Sequence, residues 1–129
     1  MKKLLVFVIV IVSLLVLAGC ANDKTIALTS ADNGKTINAV TGDKITVTIG
    51  GNPTTGFTWE TEQLNIAQLQ QLGEPEYTAD SGLLGSAGIY VFTFNVVGPG
   101  ETSLKLMYHR TWEEGVPPEQ TFEVTVNVK

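Results

Sequence analysis

The sequence predicts an all-β chain folded as an immunoglobulin-like antiparallel β-sandwich of about seven to eight strands. Three observations predict it. Apolar and polar side chains alternate along several separate runs, turn-forming residues break the chain between those runs, and 110 of the 129 residues remain beyond residue 19, enough for one ordinary domain. No internal repeat, low-complexity tract or second domain accompanies them.

The chain opens Met1-Lys2-Lys3, continues in an apolar run from Leu4 to Val12, and after Ser13 resumes from Leu14 to Leu17. Charged residues followed by such a core are the parts of a secretory signal. The run ends Leu17-Ala18-Gly19-Cys20, small residues before the chain's single cysteine, as in a bacterial lipoprotein signal whose cysteine is acylated and becomes the mature N-terminus. A membrane-spanning helix needs about twenty apolar residues, so a span, an uncleaved anchor and a buried helix are the competing readings. The stop at Cys20 and the polar Ala21-Asn22-Asp23-Lys24 behind it favour lipidation of Cys20. The expected organisation is a lipoprotein signal over 1–19, a lipidated N-terminus and tether over 20–34, and the sandwich domain over 35–129. The expected product is exported and lipid-anchored to the cell envelope on its extracytoplasmic face. Several acyl chains on Cys20 would hold it there at about 0.8 kcal/mol per buried methylene.

All thirteen acidic residues lie beyond Cys20 but only six of the eight basic ones, so without Lys2 and Lys3 the charge falls from −5 to −7 with His109 neutral. No basic stripe interleaved with aromatics appears, which argues against nucleic acid as a partner.

The strands follow in order. Residues 22–43 are polar, with room for a tether and a first strand or two around Ile26–Leu28 and Thr36–Val40. Ile45, Val47 and Ile49 alternate with Lys44, Thr46 and Thr48; Phe57 and Trp59 alternate with Thr58 and Glu60. Leu64–Leu72 is either a short helix or a connection leading to a strand near Glu74–Thr78. Tyr90, Phe92, Phe94 and Val96 define the next inward face; Leu104, Leu106 and Tyr108 the one after; Phe122, Val124, Val126 and Val128 the last. Such runs bury one face and wet the other, as antiparallel strands do. Gly50-Gly51-Asn52-Pro53, Gly82, Gly85, Gly98-Pro99-Gly100 and Pro117-Pro118 supply the breaks.

No catalyst emerges. A Cys/His pair is lost if Cys20 is acylated, and a zinc site needs three or four ligands where the chain has one histidine. His109 has no Gly-x-Ser-x-Gly companion and reads as a strand-edge residue. Glu74 and Glu76, or Glu113 and Glu114, are formal carboxylate pairs; the latter reads as a solvated turn. The glycine stretches lack the Gly-Lys-Ser/Thr of a phosphate loop. No cofactor is implied, the chain is not expected to be an enzyme, and nothing demands more than a monomer.

Strand parity gathers three distinctive loops, 50–56, 79–87 and 110–120, at one end of the sandwich. The first carries Asn52-Pro53-Thr54-Thr55-Gly56-Phe57, where Pro53 fixes φ and Gly56 offers a conformation other residues resist. The second carries Leu83 and then Leu84-Gly85-Ser86-Ala87-Gly88, small residues that admit another backbone. The third begins Arg110-Thr111-Trp112, and a tryptophan beside an arginine is a frequent hot-spot pair. Each loop alone is an ordinary turn; together they read as a binding surface.

The combination resembles the chagasin family of cysteine peptidase inhibitors, which carry an Asn-Pro-Thr-Thr-Gly-Phe/Tyr loop, a Gly-x-Gly-Gly-like loop and an Arg-Pro-Trp loop on an immunoglobulin-like fold. The likeness runs from about Lys35 to Lys129. Asn52–Phe57 matches throughout, Ala87 stands where glycine is usual, and Thr111 stands where proline is usual. The resemblance implies a reversible, competitive inhibitor of papain-like cysteine peptidases. Asn52–Gly56 would lie over the peptidase's catalytic Cys and His with Thr54 nearest the centre. Residues 84–88 would run along the unprimed side of the cleft, and Trp112, positioned by Arg110, would stack at the primed side. The alternative reading is a non-inhibitory surface-binding or adhesion lipoprotein domain using the same loops.

Overall fold

A computed structural model describes residues 23–129; Cys20 and the expected signal segment lie outside the described residues. Nine strands form the fold among the described residues: β1 (Thr25–Thr29), β2 (Thr36–Ala39), β3 (Lys44–Gly51), β4 (Thr58–Glu62), β5 (Leu69–Gln71), β6 (Glu76–Ala79), β7 (Gly88–Val96), β8 (Gly100–His109) and β9 (Gln120–Val128). β1, β3, β7 and β5 make one sheet, with β6 also paired to β7, and β2, β9, β8 and β4 make the other. The sandwich is therefore present, with one or two strands more than expected, and its two sheets are mixed rather than wholly antiparallel. The chain rises along β1, crosses to the other sheet to descend along β2, and returns to rise along β3. β1 and β3 consequently pair in parallel, Ile26 opposite Ile45 and Leu28 opposite Val47, while β2 pairs in parallel with β9.

Alternation explains the core. Ile45, Val47, Phe92, Phe94, Leu104, Leu106, Phe122, Val124 and Val126 are almost wholly buried between the sheets. Each such side chain contributes about 1.5–3 kcal/mol relative to exposure. Phe92 and Phe94 stack with centroids 6.3 Å apart. The first described strand begins at Thr25: alternation around Ile26–Leu28 buries Leu28, and the Thr29–Asp32 capping box turns the chain toward β2.

Leu64–Leu72 is not a helix. Asn65 closes a single turn, its carbonyl accepting from Gln68 N at 3.1 Å and Leu69 N at 3.0 Å. Leu69–Gln71 then pairs with β7 as a short strand. β5 and β6 run in the same direction, antiparallel to the same neighbour, like one edge strand interrupted at residues 72–75. No reversal occurs between them, so the extra strand leaves loop parity unchanged, and the β3–β4, β6–β7 and β8–β9 loops share one end.

The opposite end is tied by Asp43, the one buried charged side chain among the described residues. Its carboxylate accepts from Lys24 N at 3.2 Å and Val40 N at 3.0 Å, fixing the entry to β1 against the β2–β3 turn. Asp43→Ala strands those donors, so it is expected to cost about 2 kcal/mol and to lower Tm by roughly 10 °C. Thermal unfolding followed by circular dichroism checks this, and an unchanged Tm would show the tie to be dispensable.

Candidate functional site

The β3–β4 loop is built by its own first residue. Asn52 Oδ1 accepts from Thr54 N at 3.1 Å and from Thr54 Oγ1 at 2.6 Å, the N-cap arrangement of a 3-10 turn over Pro53–Thr55. Thr55 Oγ1 donates to Asn52 O at 2.6 Å, and Gly56 N donates to Pro53 O at 3.0 Å. Gly56 closes the turn in the left-handed region at φ +84°, where a side chain is strained. A Cβ on Gly56 would also fall 2.5 Å from Trp112 Cη2. The indole of the third loop therefore rests directly on this glycine.

Two side chains join the loops. Asn52 Nδ2 donates to Gly85 O at 3.1 Å, reaching into the β6–β7 loop. Arg110 Nε donates to Thr55 O at 3.2 Å from the β8–β9 loop. The Arg110 guanidinium also lies 4.3 Å over the Phe57 ring, and its NH1 donates to Glu113 Oε1 at 3.0 Å. Asn52 thus organises one turn and grips the next, which explains why a neighbouring residue type would not serve: its amide must accept and donate at once.

The β6–β7 loop is a compact bend. Asp80 N donates to Ala87 O at 2.9 Å, Ser86 Oγ donates to Ser81 O at 2.9 Å, and Gly85 takes φ +81°. Leu84 at its tip is fully exposed, Leu83 is 78 % exposed and Trp112 is 66 % exposed. Such apolar side chains held in water at one pole are a surface awaiting contact.

The structure brings Asn52, Pro53, Thr54, Thr55, Gly56, Leu84, Gly85, Ser86, Ala87, Arg110 and Trp112 to this pole. Phe57 and Gly88 are different. Phe57 is half-buried and stacks on Tyr108 at 5.3 Å. Gly88 is buried at the start of β7, where a Cβ would collide with the Thr78 carbonyl and the Tyr77 ring. Both shape the site from beneath. His109 lies just outside it, its Nε2 2.8 Å from Glu60 Oε2 on the neighbouring strand.

Tyr108 is the residue that sequence reasoning left in the core. Its hydroxyl accepts from Asn52 N at 2.8 Å and donates to Asn52 O at 3.3 Å, so a buried β8 side chain holds the backbone on which the first loop turns. Trp59 packs on the same ring at 5.0 Å and ties the sheets by donating from Nε1 to Gly50 O at 2.9 Å. Burial pushes the neighbouring Tyr90 hydroxyl above the ordinary phenol range.

Comparison with known proteins agrees with this layout. The family model described as chagasin family peptidase inhibitor I42 matches residues 38–126. Amoebiasin-1 of Entamoeba histolytica is 30% identical over 106 residues, covering 80% of this chain and 99% of its own. Chagasin of Trypanosoma cruzi is 30% identical over 89 residues, 66% of this chain and 81% of its own. The crystal structure of the cysteine protease inhibitor EhICP2 from Entamoeba histolytica superposes with a TM-score of 0.74 at 25% identity, covering 85% of this chain and 100% of that one.

Gly56→Ala combines left-handed strain with displacement of an indole, so it is expected to cost about 2 kcal/mol. The indole N–H resonance of Trp112 should move while that of Trp59, bonded to Gly50 O, stays in place. Two-dimensional NMR of the variant reads both signals, and a stationary Trp112 signal would contradict the contact.

Proposed function

This chain belongs to the chagasin family of peptidase inhibitors, and from that premise we propose that it inhibits papain-like cysteine peptidases by filling the active-site cleft with the pole built from its three loops. The observation that carries the reading is the cross-linking of those loops by Asn52 to Gly85 O and Arg110 to Thr55 O. A surface ordered before contact loses less entropy on binding. The rigid turn Asn52–Gly56 is the part that enters deepest, with Thr54 exposed at its crest, above the catalytic cysteine and histidine of the target. The β6–β7 loop, with Leu84, Gly85, Ser86 and Ala87, extends along the unprimed side and offers backbone groups there. Trp112, seated on Gly56 and braced by Arg110, covers the primed side. The inhibitor needs no chemistry of its own. Inhibition on this mechanism is competitive and reversible.

Magnitudes are adequate. Nanomolar affinity corresponds to about −12 kcal/mol, within reach of an interface of about 800 Å² per partner with one or two anchors worth about 2–4 kcal/mol each. Trp112 and Leu84 are the exposed anchors, and their exposure in the free chain means that their burial is gained only on binding.

The N-terminal segment supports a second part of the proposal: export followed by acylation of Cys20, which leaves the inhibitor anchored to the cell envelope on the extracytoplasmic side. The support is the charged start, the apolar run and the small residues before Cys20.

Residues 22–129 titrated into papain are expected to remove activity in proportion to dose, with full recovery on dilution. Trp112→Ala should weaken inhibition at least tenfold, about 1.4 kcal/mol, at unchanged Tm; retained potency would remove Trp112 from the anchors. For the full chain expressed in a bacterial host, Cys20→Ser should abolish incorporation of radiolabelled palmitate. Palmitate incorporation into that variant equal to the parent's would refute the lipid anchor.

A further inference from the structure

We infer that Tyr108 is the positioning residue of the wedge loop, and that its hydroxyl keeps this loop an inhibitor rather than a substrate. The inference rests on the inhibitor reading given above and adds to it a reason for resistance to cleavage. A loop laid across the catalytic thiolate of a peptidase is by position a candidate substrate. Cleavage forms a C–S bond at a carbonyl carbon and moves the π electron pair onto the carbonyl oxygen. The C–N bond then breaks, with a proton passing from the histidine to the departing amine, and water later hydrolyses the thioester. The first step requires the carbonyl oxygen to face outward, to donors at about 3 Å in the peptidase's oxyanion site.

In the turn Asn52–Thr55, three of the four carbonyl oxygens already face inward. Asn52 O accepts from Thr55 Oγ1 at 2.6 Å and from Tyr108 Oη at 3.3 Å. Pro53 O accepts from Gly56 N at 3.0 Å, and Thr55 O accepts from Arg110 Nε at 3.2 Å. None of these oxygens can enter an oxyanion site without breaking an internal bond and turning its peptide plane. Thr54 O alone has no such partner among the described residues, and its peptide link is held by the residues on either side of it.

Tyr108 controls that hold. Its ring is fixed between Phe57 and Trp59, at 5.3 and 5.0 Å, and is 7% exposed, so the hydroxyl cannot swing away. It engages both the N–H and the C=O of Asn52, the residue whose side chain caps the turn. Removing one oxygen atom therefore frees the hinge of the loop while leaving the aromatic stack intact.

Tyr108→Phe is the test. Amide exchange at Asn52 should accelerate at least tenfold. In the presence of excess papain, mass spectrometry should find the Thr54–Thr55 bond cut at least tenfold faster than in the parent, with peptidase activity returning as the loop is lost. Val124→Ala, a core change in β9 far from the loop, supplies the control for general loosening and should show neither effect at matched loss of Tm. Exchange and cleavage at parental rates in Tyr108→Phe, or equal acceleration in Val124→Ala, would overturn the proposal. Exchange at Asn52 is measured without any peptidase, so it judges the clamp even if the parent fails to inhibit papain, an outcome that would instead refute the inhibitor reading.

Discussion

A column of stacked groups joins the core to the working pole, and the geometry of that pole depends on it. Trp59, inside the sandwich, packs on Tyr108; Tyr108 packs on Phe57; and the Arg110 guanidinium closes the column over Phe57. Aromatic pairs of this kind contribute about 0.5–1.5 kcal/mol beyond burial, and a cation over a ring about 0.5–2. The larger effect is geometric. β4 supplies Trp59 and leads out of the loop through Phe57, while β8 supplies Tyr108 and leads into Arg110. Strand pairing between them, with Trp59 opposite Tyr108 and Thr58 opposite His109, thus sets where the first and third loops meet. A one-residue slip of that register would turn Tyr108 to solvent and dismantle the contact.

Much of this was legible in the residues. Period-two alternation marked the long strands and their inward faces, because one side of each strand is buried and the other wet. Short or edge elements were harder to read. β5 has three residues and sits in a stretch whose leucines also suit a helix, and β6 is exposed along its whole length, so neither imposes a pattern. The parallel pairing of β1 with β3 and of β2 with β9 is invisible to alternation, which reports the face of a strand and not its direction. The loops were recognisable from their turn chemistry and parity. Tyr108 was not, since an inward aromatic in a β-strand looks like any other core residue until the partner of its hydroxyl is known.

The departures from the family pattern also acquire a physical account. Thr111 stands where proline is usual, yet the turn after Arg110 is closed by Glu113 N donating to Arg110 O at 3.2 Å and by the Arg110–Glu113 ion pair at 3.0 Å. A partly exposed pair of this kind adds at most about 1 kcal/mol, but it orients the guanidinium that Thr55 O and Phe57 both use. Ala87 replaces a usual glycine at an exposed position where the loop closes through its own carbonyl, accepting from Asp80 N at 2.9 Å. Its exposed methyl group adds to the profile offered to a partner.

The parallel placement of β1 beside β3 has a mechanical meaning of its own. Lys24 enters the sandwich next to Asp43, at the pole opposite Thr54, Leu84 and Trp112. Were Cys20 acylated as proposed, the attachment would lie three residues before Asp23 in sequence, on the side of the domain away from the gripping end. An enzyme arriving from outside meets that end unobstructed by lipid headgroups, and one lying flat on the same membrane does not. Orientation would then sort targets by their direction of approach, a filter that operates before any loop touches a cleft.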